Sequence, residues 1–340
     1  MATLKDLSQH LGLSVTQVSR ALNDHDDVSA ETKARVREAA KTLNYQPNVM
    51  ARRLKTGRSG SVGLIWQGVP EPSESWIFTQ FVSGLSAEFN RLGLQFMLNM
   101  ADNETAALDV YDRLITSRSI DGFVVILPQA KDPRVDYLRR RKVPFVLHGQ
   151  TMDDPDYAYY DIDNYAVAYD LTTHLARRGH RDIAFINGQL DASFVQRRYE
   201  GHIQALRENG IVQHPEFHVG GRMTQELGLL ETIRLFQSAG PKPTAIIASH
   251  MLIAKGVTKA AQLLGLRIPQ DLSLVVHDDC IPLVGAEDFP VALTSTVAPL
   301  HEAWGELAAS LDSVIKGGSP KKAQKVSRHR FRQGQSVAGI

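Results

Sequence analysis

Four side chains near the N-terminus have the chemistry to read DNA bases: Val15, Thr16, Gln17 and Arg20. They fall on the exposed face of a short predicted helix that follows a turn at Gly12. Arginine can donate two hydrogen bonds to one guanine, threonine can reach a base edge, and an apolar side chain can contact a thymine methyl group. The second helix of a helix-turn-helix places its first residues in the major groove. The same pattern is compatible with the polar face of an ordinary helical bundle.

A second group of polar side chains lies at the ends of predicted strands and helices in the C-terminal half of the chain. Asp278 and Asp279 come after the predicted strand 272–276, and Arg198 lies near the start of the predicted helix 195–209. A cleft for a small polar ligand needs a few fixed polar groups and aromatic faces. The alternative role for Asp278 and Arg198 is a structural ion pair or a helix cap.

The candidate base-reading residues require a small domain to hold them. Residues 3–45 predict three short helices and no strand, with capping boxes at Thr3 with Asp6 and at Ser14 with Gln17, and with Ser29 opening the third helix. Apolar residues are spaced to meet in one small core: Leu7, Leu11, Leu13, Val18, Leu22, Val36, Ala39, Ala40 and Leu43.

From Ser61 onward, strands alternate with helices. The predicted strands are 62–65, 94–99, 122–127, 144–147, 182–187, 216–219, 244–248 and 272–276. Such alternation predicts parallel βαβ sheets, and two rounds of it predict two doubly wound subdomains. A ligand would bind outside the carboxyl ends of their strands.

The composition limits the class of protein. The chain has 340 residues and a formal net charge of +1. Residues 1–58 carry 10 Lys/Arg against 6 Asp/Glu, and the remainder carries 28 against 31. A small basic head on a weakly acidic body suits a polyanionic partner at one end. One cysteine, no apolar N-terminal segment and no long apolar run favour a cytoplasmic protein without a membrane span.

No motif indicates an enzyme, a cofactor or a metal site. The chain lacks Gly-x-Ser-x-Gly, a Walker loop, His-Glu-x-x-His and a clean Gly-x-Gly-x-x-Gly. His174 and His180 are expected to be structural, and Cys280 to be buried or half-buried. The basic segment 321–332 is expected to be a solvated loop leading into an edge strand, with a second nucleic-acid patch as the alternative.

Four short motifs resemble the lactose-repressor/galactose-repressor (LacI/GalR) family closely: TLKDL at 3–7, GLS at 12–14, VSRALN at 18–23 and LNYQPN at 43–48. The segment RRLKTGRS at 52–59 looks like that family's hinge, and the resemblance extends to about residue 336. Ser8 and Leu11 depart from the alanines usual in the family. The resemblance implies a helix-turn-helix head joined to a core like the periplasmic binding proteins, with two doubly wound parallel-sheet subdomains.

The resemblance also implies a domain plan and a way of binding DNA. The expected domains are a head at 1–46, a hinge helix and linker at 47–59, a first core subdomain at 60–161 with about 293–325, and a second at 162–292 with about 326–340. Val15 and Thr16 match the operator-reading pair, and Leu54 matches a leucine that paired hinge helices wedge into the minor groove. The full expected DNA-binding set is Val15, Thr16, Gln17, Arg20, Asn48, Arg52, Leu54 and Lys55.

Within the core, the resemblance assigns Arg198 and Asp278 to an effector site. Asp163 belongs to the family's Asp-Asn pair, and Ile77 with Phe78 aligns with a pair lining the cleft floor. Further candidates are Trp76, His148, Phe194, Met223 and His250. His250-Met251 replaces the usual Asn-Asp, and Ile126 stands where an asparagine can contact sugar.

The resemblance implies a homodimer, or a tetramer formed by pairing of dimers, that binds a pseudo-palindromic operator. We expect a repressor of a carbohydrate-utilisation operon, with a mono- or disaccharide as inducer. Two alternatives remain at this point. One is a solute-binding sensory protein without a DNA role, and the other is a regulator with a non-sugar effector, such as a nucleobase acting as corepressor.

Overall fold

The computed structural model describes residues 2–22, 24–45, 57–68, 75–282, 284–285 and 288–340. The chain forms two compact units, Met1–Ser59 and Gly60–Ile340. Among the residues so described, no helix is both long and apolar enough to cross a bilayer.

The N-terminal unit contains three helices, α1 (Leu4–Leu11), α2 (Val15–Leu22) and α3 (Ala30–Thr42). The predicted capping boxes are confirmed, since Thr3 and Asp6 exchange hydrogen bonds and Ser14 and Gln17 do the same. Ser29 caps α3. Five buried side chains form the core that the three helices share, with partly buried leucines around them: Leu7, Val18, Ala21, Val36 and Ala39.

The larger unit contains two six-stranded sheets. The first sheet has the order β11-β5-β4-β3-β1-β2, and all its pairings are parallel. Its strands are β1 (Ser61–Gln67), β2 (Gln95–Ala101), β3 (Gly122–Ile126), β4 (Phe145–His148), β5 (Ala158–Ile162) and β11 (Gln324–Ser327). The helices of this subdomain are α4 (Ser75–Arg91), α5 (Glu104–Thr116), α6 (Pro133–Arg141) and α11 (Ala303–Ile315).

The second sheet has the order β12-β10-β9-β8-β6-β7, and only the pairing of β12 is antiparallel. Its strands are β6 (Ile183–Asn187), β7 (His218–Gly220), β8 (Ala245–Ala248), β9 (Ser273–Asp278), β10 (Thr294–Val297) and β12 (Arg330–Arg332). Its helices are α7 (Asn164–Arg177), α8 (Ser193–Glu208), α9 (Gln225–Gln237) and α10 (Met251–Leu263). Every residue of β3, β6, β8 and β9 is buried, as expected for parallel strands covered on both faces.

The predicted fold class is therefore confirmed, but one boundary differs. The chain passes between the two sheets three times, after β5, after β10 and after β11. Residues 293–297 were expected in the first subdomain, whereas β10 pairs with β9 in the second sheet. The second crossing therefore follows Val297.

One close helix contact places the start of α8 at the cleft. A Cβ atom at Gly201 would lie 2.1 Å from the carbonyl oxygen of Tyr165, so only glycine permits this approach of α8 to α7. The approach brings Arg198, one turn earlier on α8, within hydrogen-bond distance of Asn164 at the start of α7.

Candidate functional site

The exposed start of α2 carries the predicted base-reading side chains. Val15 and Thr16 are both exposed. The side-chain oxygen of Gln17 accepts hydrogen bonds from the backbone and the hydroxyl of Ser14, so in this structure it caps the helix. Arg20 contacts Asp27 through two nitrogens, at 3.0 and 2.5 Å, on an exposed surface. Such a bidentate contact fixes the orientation of the guanidinium, so a base that binds Arg20 through the same two nitrogens would have to replace Asp27.

Four predicted DNA-binding residues belong to the proposed hinge. Asn48, Arg52, Leu54 and Lys55 lie outside the described residues. Their roles stay predictions.

A cavity of about 420 Å³ lies between the two sheets of the larger unit. Residues that follow the carboxyl ends of strands in both sheets line it, which is where doubly wound sheets bind ligands. Its volume is within the range of small-molecule sites. Seven of the ten predicted effector residues line this cleft: Trp76, Ile77, His148, Phe194, Arg198, Met223 and His250.

The structure does not place the other three predicted residues in the lining of the cleft. Asp278 is the last residue of β9, and its carboxylate accepts hydrogen bonds from the backbone of Cys280 at 2.8 Å and from Arg332 at 3.2 Å. Asp163 caps α7 by accepting from the backbone of Ala166. Phe78 packs edge-on against Trp66, with ring centroids 4.8 Å apart. The alternative considered for Asp278, a structural ion pair, is the arrangement observed.

Arg198 is the central cation of the cleft. Its Nε donates to Oδ1 of Asn164 at 2.9 Å, and its Nη1 donates to the carbonyl oxygen of Ser249 at 2.7 Å. The guanidinium lies 5.2 Å from the ring centroid of Phe194, a cation–π distance. Burial lowers the pKa of Arg198 to about 10, so it remains charged at neutral pH. Its Nη2 makes no hydrogen bond within the described chain.

Asp279, rather than Asp278, supplies a carboxylate to the cleft. Its Oδ2 lies 3.5 Å from Nε2 of His250, and its buried Oδ1 has no partner in the described part of the chain. Burial alone would raise the pKa of Asp279. The charge and the hydrogen bond of His250 outweigh this effect, with smaller contributions from His277 and Arg198, so the pKa is lowered overall. An ionised oxygen without a partner is a strong acceptor for a hydroxyl group.

Asp161 is a second cleft carboxylate, which the sequence reasoning missed. Its oxygens accept from Gln150 at 3.1 Å, from Asn164 at 3.0 Å and from the backbone of Ile162 at 2.8 Å. Burial raises its pKa to about 6. Through Asn164, Asp161 is linked to Arg198 across the first crossing between the subdomains. An acidic residue within the strand AYYDI was the signal available in the sequence.

Aromatic rings cover much of the remaining wall. The ring of Trp76 lies 5.7 Å from the imidazole of His250, at an angle of 31°. His148 packs against Phe81 at 5.0 Å, and burial lowers the pKa of His148 to about 4. Within the described residues, no cluster of three potential ligands is placed to hold a metal ion. The cleft therefore combines flat apolar faces with a few fixed charges.

Backbone hydrogen bonds join the two subdomains at the edge of this cleft. The backbone of Ala130 donates to the carbonyl oxygen of Asp191 at 2.9 Å, and the backbone of Ser193 donates to that of Pro128 at 3.1 Å. These bonds connect the loop after β3 with the loop before α8. They hold the walls of the cleft together in this structure.

Two other predictions concern residues near the second sheet. In the basic segment, Lys325 pairs with Glu306, Arg330 with Glu302 at 3.4 Å and Arg332 with Asp278 at 3.2 Å, an arrangement that favours the solvated-surface interpretation. Cys280 is exposed, so the expectation of a buried or half-buried thiol was wrong. The strand ends at Asp278, and the following turn directs this side chain outward.

Two family models match the chain. The model described as "Bacterial regulatory proteins, lacI family" matches residues 3–48, which include the three-helix head. The model described as "Periplasmic binding proteins and sugar binding domain of LacI family" matches residues 59–286, most of the two-sheet core.

Relatives match along almost the whole length. The HTH-type transcriptional regulator AglR of Rhizobium meliloti (strain 1021) is 37% identical over 309 residues, which are 91% of this chain and 86% of AglR. The HTH-type transcriptional regulator RafR of Escherichia coli is 33% identical over 338 residues, 98% of each chain. The HTH-type transcriptional repressor PurR of Erwinia tasmaniensis is 31% identical over 313 residues, 92% of this chain and 89% of PurR.

Solved structures share the fold. The complex of the transcriptional regulator CelR with cellobiose matches with a TM-score of 0.70 and 26% identity, and it covers 99% of this chain and 100% of that chain. The helix-turn-helix head, the two parallel sheets and the matches in sequence agree. The chain belongs to the LacI family of bacterial regulatory proteins, and it is a DNA-binding transcriptional regulator rather than an enzyme.

Proposed function

We propose that this regulator represses genes for carbohydrate use, and that a small sugar bound in the cleft controls its binding to the operator. The observation that carries the proposal is a set of polar groups in the cleft wall without partners in the described chain. They are Nη2 of Arg198, the buried Oδ1 of Asp279 and the buried Nε2 of Gln67. Buried polar groups without partners are unfavourable, so a ligand that satisfies them would be bound firmly.

A sugar fits these groups better than an apolar ligand does. Each hydroxyl group donates and accepts, so neighbouring hydroxyls can donate to Asp279 while they accept from Arg198. Trp76 and Phe194 provide ring faces for the apolar side of a pyranose. The similar CelR structure contains cellobiose, a disaccharide, which supports a ligand of this class here.

On the DNA side, we propose a homodimer in the cytoplasm that presents two copies of α2 to a pseudo-palindromic operator. Two-fold symmetry of the protein would match the symmetry of the site. Val15, Thr16 and Arg20 would read bases, and Leu54 would enter the minor groove from the hinge. The relative PurR is named a transcriptional repressor, which supports repression as the outcome of operator binding by this protein.

Binding of the effector would change the relation of the two subdomains. The three crossings and the backbone bonds at Pro128 and Asp191 connect them, so a ligand that contacts both sheets can favour one arrangement. Coupling free energies of about 1–3 kcal/mol are usual for such switches.

The test is a thermal-shift screen of the full-length protein followed by gel shifts. The panel contains glucose, galactose, sucrose, maltose, cellobiose, melibiose and raffinose, with hypoxanthine and guanine for the alternative of a nucleobase corepressor. We expect at least one sugar to raise the melting temperature and to release a selected operator fragment. Stabilisation by a nucleobase alone, or by none of the compounds, would refute the sugar proposal.

A pair of arginine variants makes this test specific. Arg198→Met should bind the operator like the wild type but lose the response to the sugar, because it removes the cation of the cleft. Arg197→Met is the matched control, since Arg197 is exposed and pairs with Glu200 at 3.0 Å. An equal response in both variants would remove Arg198 from the site.

A further inference from the structure

We infer that the cleft selects uncharged, unphosphorylated sugars and rejects their phosphate esters. This inference rests on the proposed sugar effector and names its chemical class. Within the described part of the cleft, the positive groups are matched by carboxylates or engaged otherwise, while one carboxylate oxygen stays without a partner.

The arginines of the wall do not offer a phosphate group a free pair of donors. Arg134 forms a buried ion pair with Asp132, at 2.6 Å and again at 2.9 Å. Arg198 interacts electrostatically with both Asp161 and Asp279, and two of its nitrogens donate hydrogen bonds to protein oxygens. Arg222 also interacts with other groups of the protein. Phosphate sites usually offer arginines whose paired donors face the ligand.

Two of the cleft histidines, His148 and His277, carry no positive charge at neutral pH. Burial lowers the pKa of His148 to about 4 and lowers that of His277 well below its ordinary value, so both are neutral at pH 7. Nδ1 of His277 is occupied by the hydroxyl of Thr296 at 3.1 Å. His250 faces Asp279 at 3.5 Å, so any charge on His250 is matched by that carboxylate.

At two helix ends that border the cleft, one backbone N–H is also engaged by the protein. A helix N-terminus attracts anions when its backbone N–H groups are free. The first N–H of α8, at Ser193, donates to the carbonyl oxygen of Pro128 at 3.1 Å. At the start of α10, the N–H of Leu252 donates to the imidazole of His250 at 3.1 Å. The protein itself therefore takes up donors that a phosphate would need.

Negative groups would repel a phosphate ester. Oδ1 of Asp279 is buried and has no partner in the described part of the chain, and Asp161 is a second carboxylate that interacts electrostatically with Arg198. Asp191 is exposed and also belongs to the lining. A neutral hydroxyl group can donate to these oxygens, whereas a phosphate at pH 7.5 presents only further negative charge.

The experiment compares neutral sugars with their phosphates on the full-length protein. Binding of glucose, galactose, sucrose, maltose and trehalose is measured by calorimetry at pH 7.5, each beside its 6-phosphate ester. In every pair that binds, we expect the neutral sugar to bind about 100-fold more tightly or better. Equal or tighter binding of any phosphate ester overturns this inference and leaves the sugar proposal standing. Failure of both members of every pair, together with no response to any sugar of the thermal-shift panel, refutes the sugar proposal itself, and this inference with it.

Neighbouring aspartates provide a matched pair of variants. Asp279→Asn should weaken the neutral sugar about tenfold or more, and it should reduce the discrimination against the phosphate ester. Asp278→Asn is the control, because Asp278 lies outside the lining and pairs with Arg332. Circular dichroism and melting temperature establish that each variant is folded. An unchanged ratio of affinities in folded Asp279→Asn, or an equal change in Asp278→Asn, would overturn the assignment.

Discussion

Replacing Asp161 by asparagine should stabilise the ligand-free protein at neutral pH. Asp161 is a carboxyl group with a pKa raised by burial from 3.8 to about 6, despite three hydrogen bonds that its oxygens accept. Such a rise makes the ionised native state about 3 kcal/mol less stable. The side chain is only partly buried, and water in the open cleft reduces this to roughly 1–3 kcal/mol.

An amide can keep most of the contacts of Asp161. Its oxygen can accept from Asn164 and from the backbone of Ile162, as one carboxylate oxygen does now. The NH2 group of the asparagine takes the place of the carboxylate oxygen that accepts from Gln150. The amide of Gln150 can rotate so that its oxygen accepts a hydrogen bond from this NH2 group. The exchange therefore removes the charge with little loss of hydrogen bonding.

The sign of the pH dependence follows from the raised pKa. Below about pH 3 the carboxyl of Asp161 is protonated in both the native and the unfolded states, so wild type and Asp161→Asn should be similar in stability. Between about pH 4 and 6 the unfolded state releases the proton more readily than the native state does, so the wild type loses stability as the pH rises. The advantage of the variant should reach its full roughly 1–3 kcal/mol above about pH 7.

Urea unfolding at pH 4.5, 6, 7 and 8, followed by tryptophan fluorescence and circular dichroism, measures this difference. Asp163→Asn is the matched control, because it makes the same chemical exchange two residues away, and asparagine caps a helix as well as aspartate does. The control should differ from wild type by no more than about 0.5 kcal/mol at pH 8. A constant advantage of Asp161→Asn across the pH range, or a loss of stability at pH 8, would refute the reasoning.

Three further substitutions test other parts of the molecule. Ser14→Ala removes the hydroxyl that caps α2 by accepting from the backbone of Gln17, and it should destabilise the head by about 1 kcal/mol in thermal unfolding, with weaker operator binding in a gel shift. Gly201→Ala places a methyl group 2.1 Å from a backbone oxygen and should destabilise the core by about 3 kcal/mol or more, whereas Gly305→Ala, with nothing within 4 Å, should be neutral or stabilising. Leu54→Ala should weaken operator binding and leave sugar affinity, measured by calorimetry, unchanged. Unaltered operator binding would contradict the predicted insertion of Leu54 into the minor groove.

The alternation of strands and helices was predictable largely because the central strands are buried on both faces. Runs such as GFVVI and AIIA contain almost only apolar residues, and these runs became β3 and β8. The membership of β10 in the second sheet was not predictable in this way. Its four residues are assigned by pairing with residues of β9 that lie 19 positions earlier in the chain, and local pattern carries no information about such pairing.

The position of the cleft was predictable from the rule that ligands bind at the carboxyl ends of strands. Which of Asp278 and Asp279 lines the cleft was not predictable, because this depends on which side chain faces the cavity where β9 ends. Successive side chains of a strand point to opposite faces, so neighbouring aspartates serve different purposes. Asp279 faces His250 and the cavity, while Asp278 faces Cys280 and Arg332.

The features that make the cleft selective also make the empty core less stable. Asp161 is ionised at neutral pH at the expense of stability, and Asp279 and Gln67 carry buried polar atoms without partners. A ligand that satisfies these atoms binds only the native state, and at 100 times its Kd it adds about 2.7 kcal/mol to stability. For a core of this size, that corresponds to a rise of roughly 5 °C in Tm. The same free energy is available to favour one arrangement of the two subdomains, so the compounds that raise Tm most should also be those that alter operator binding most.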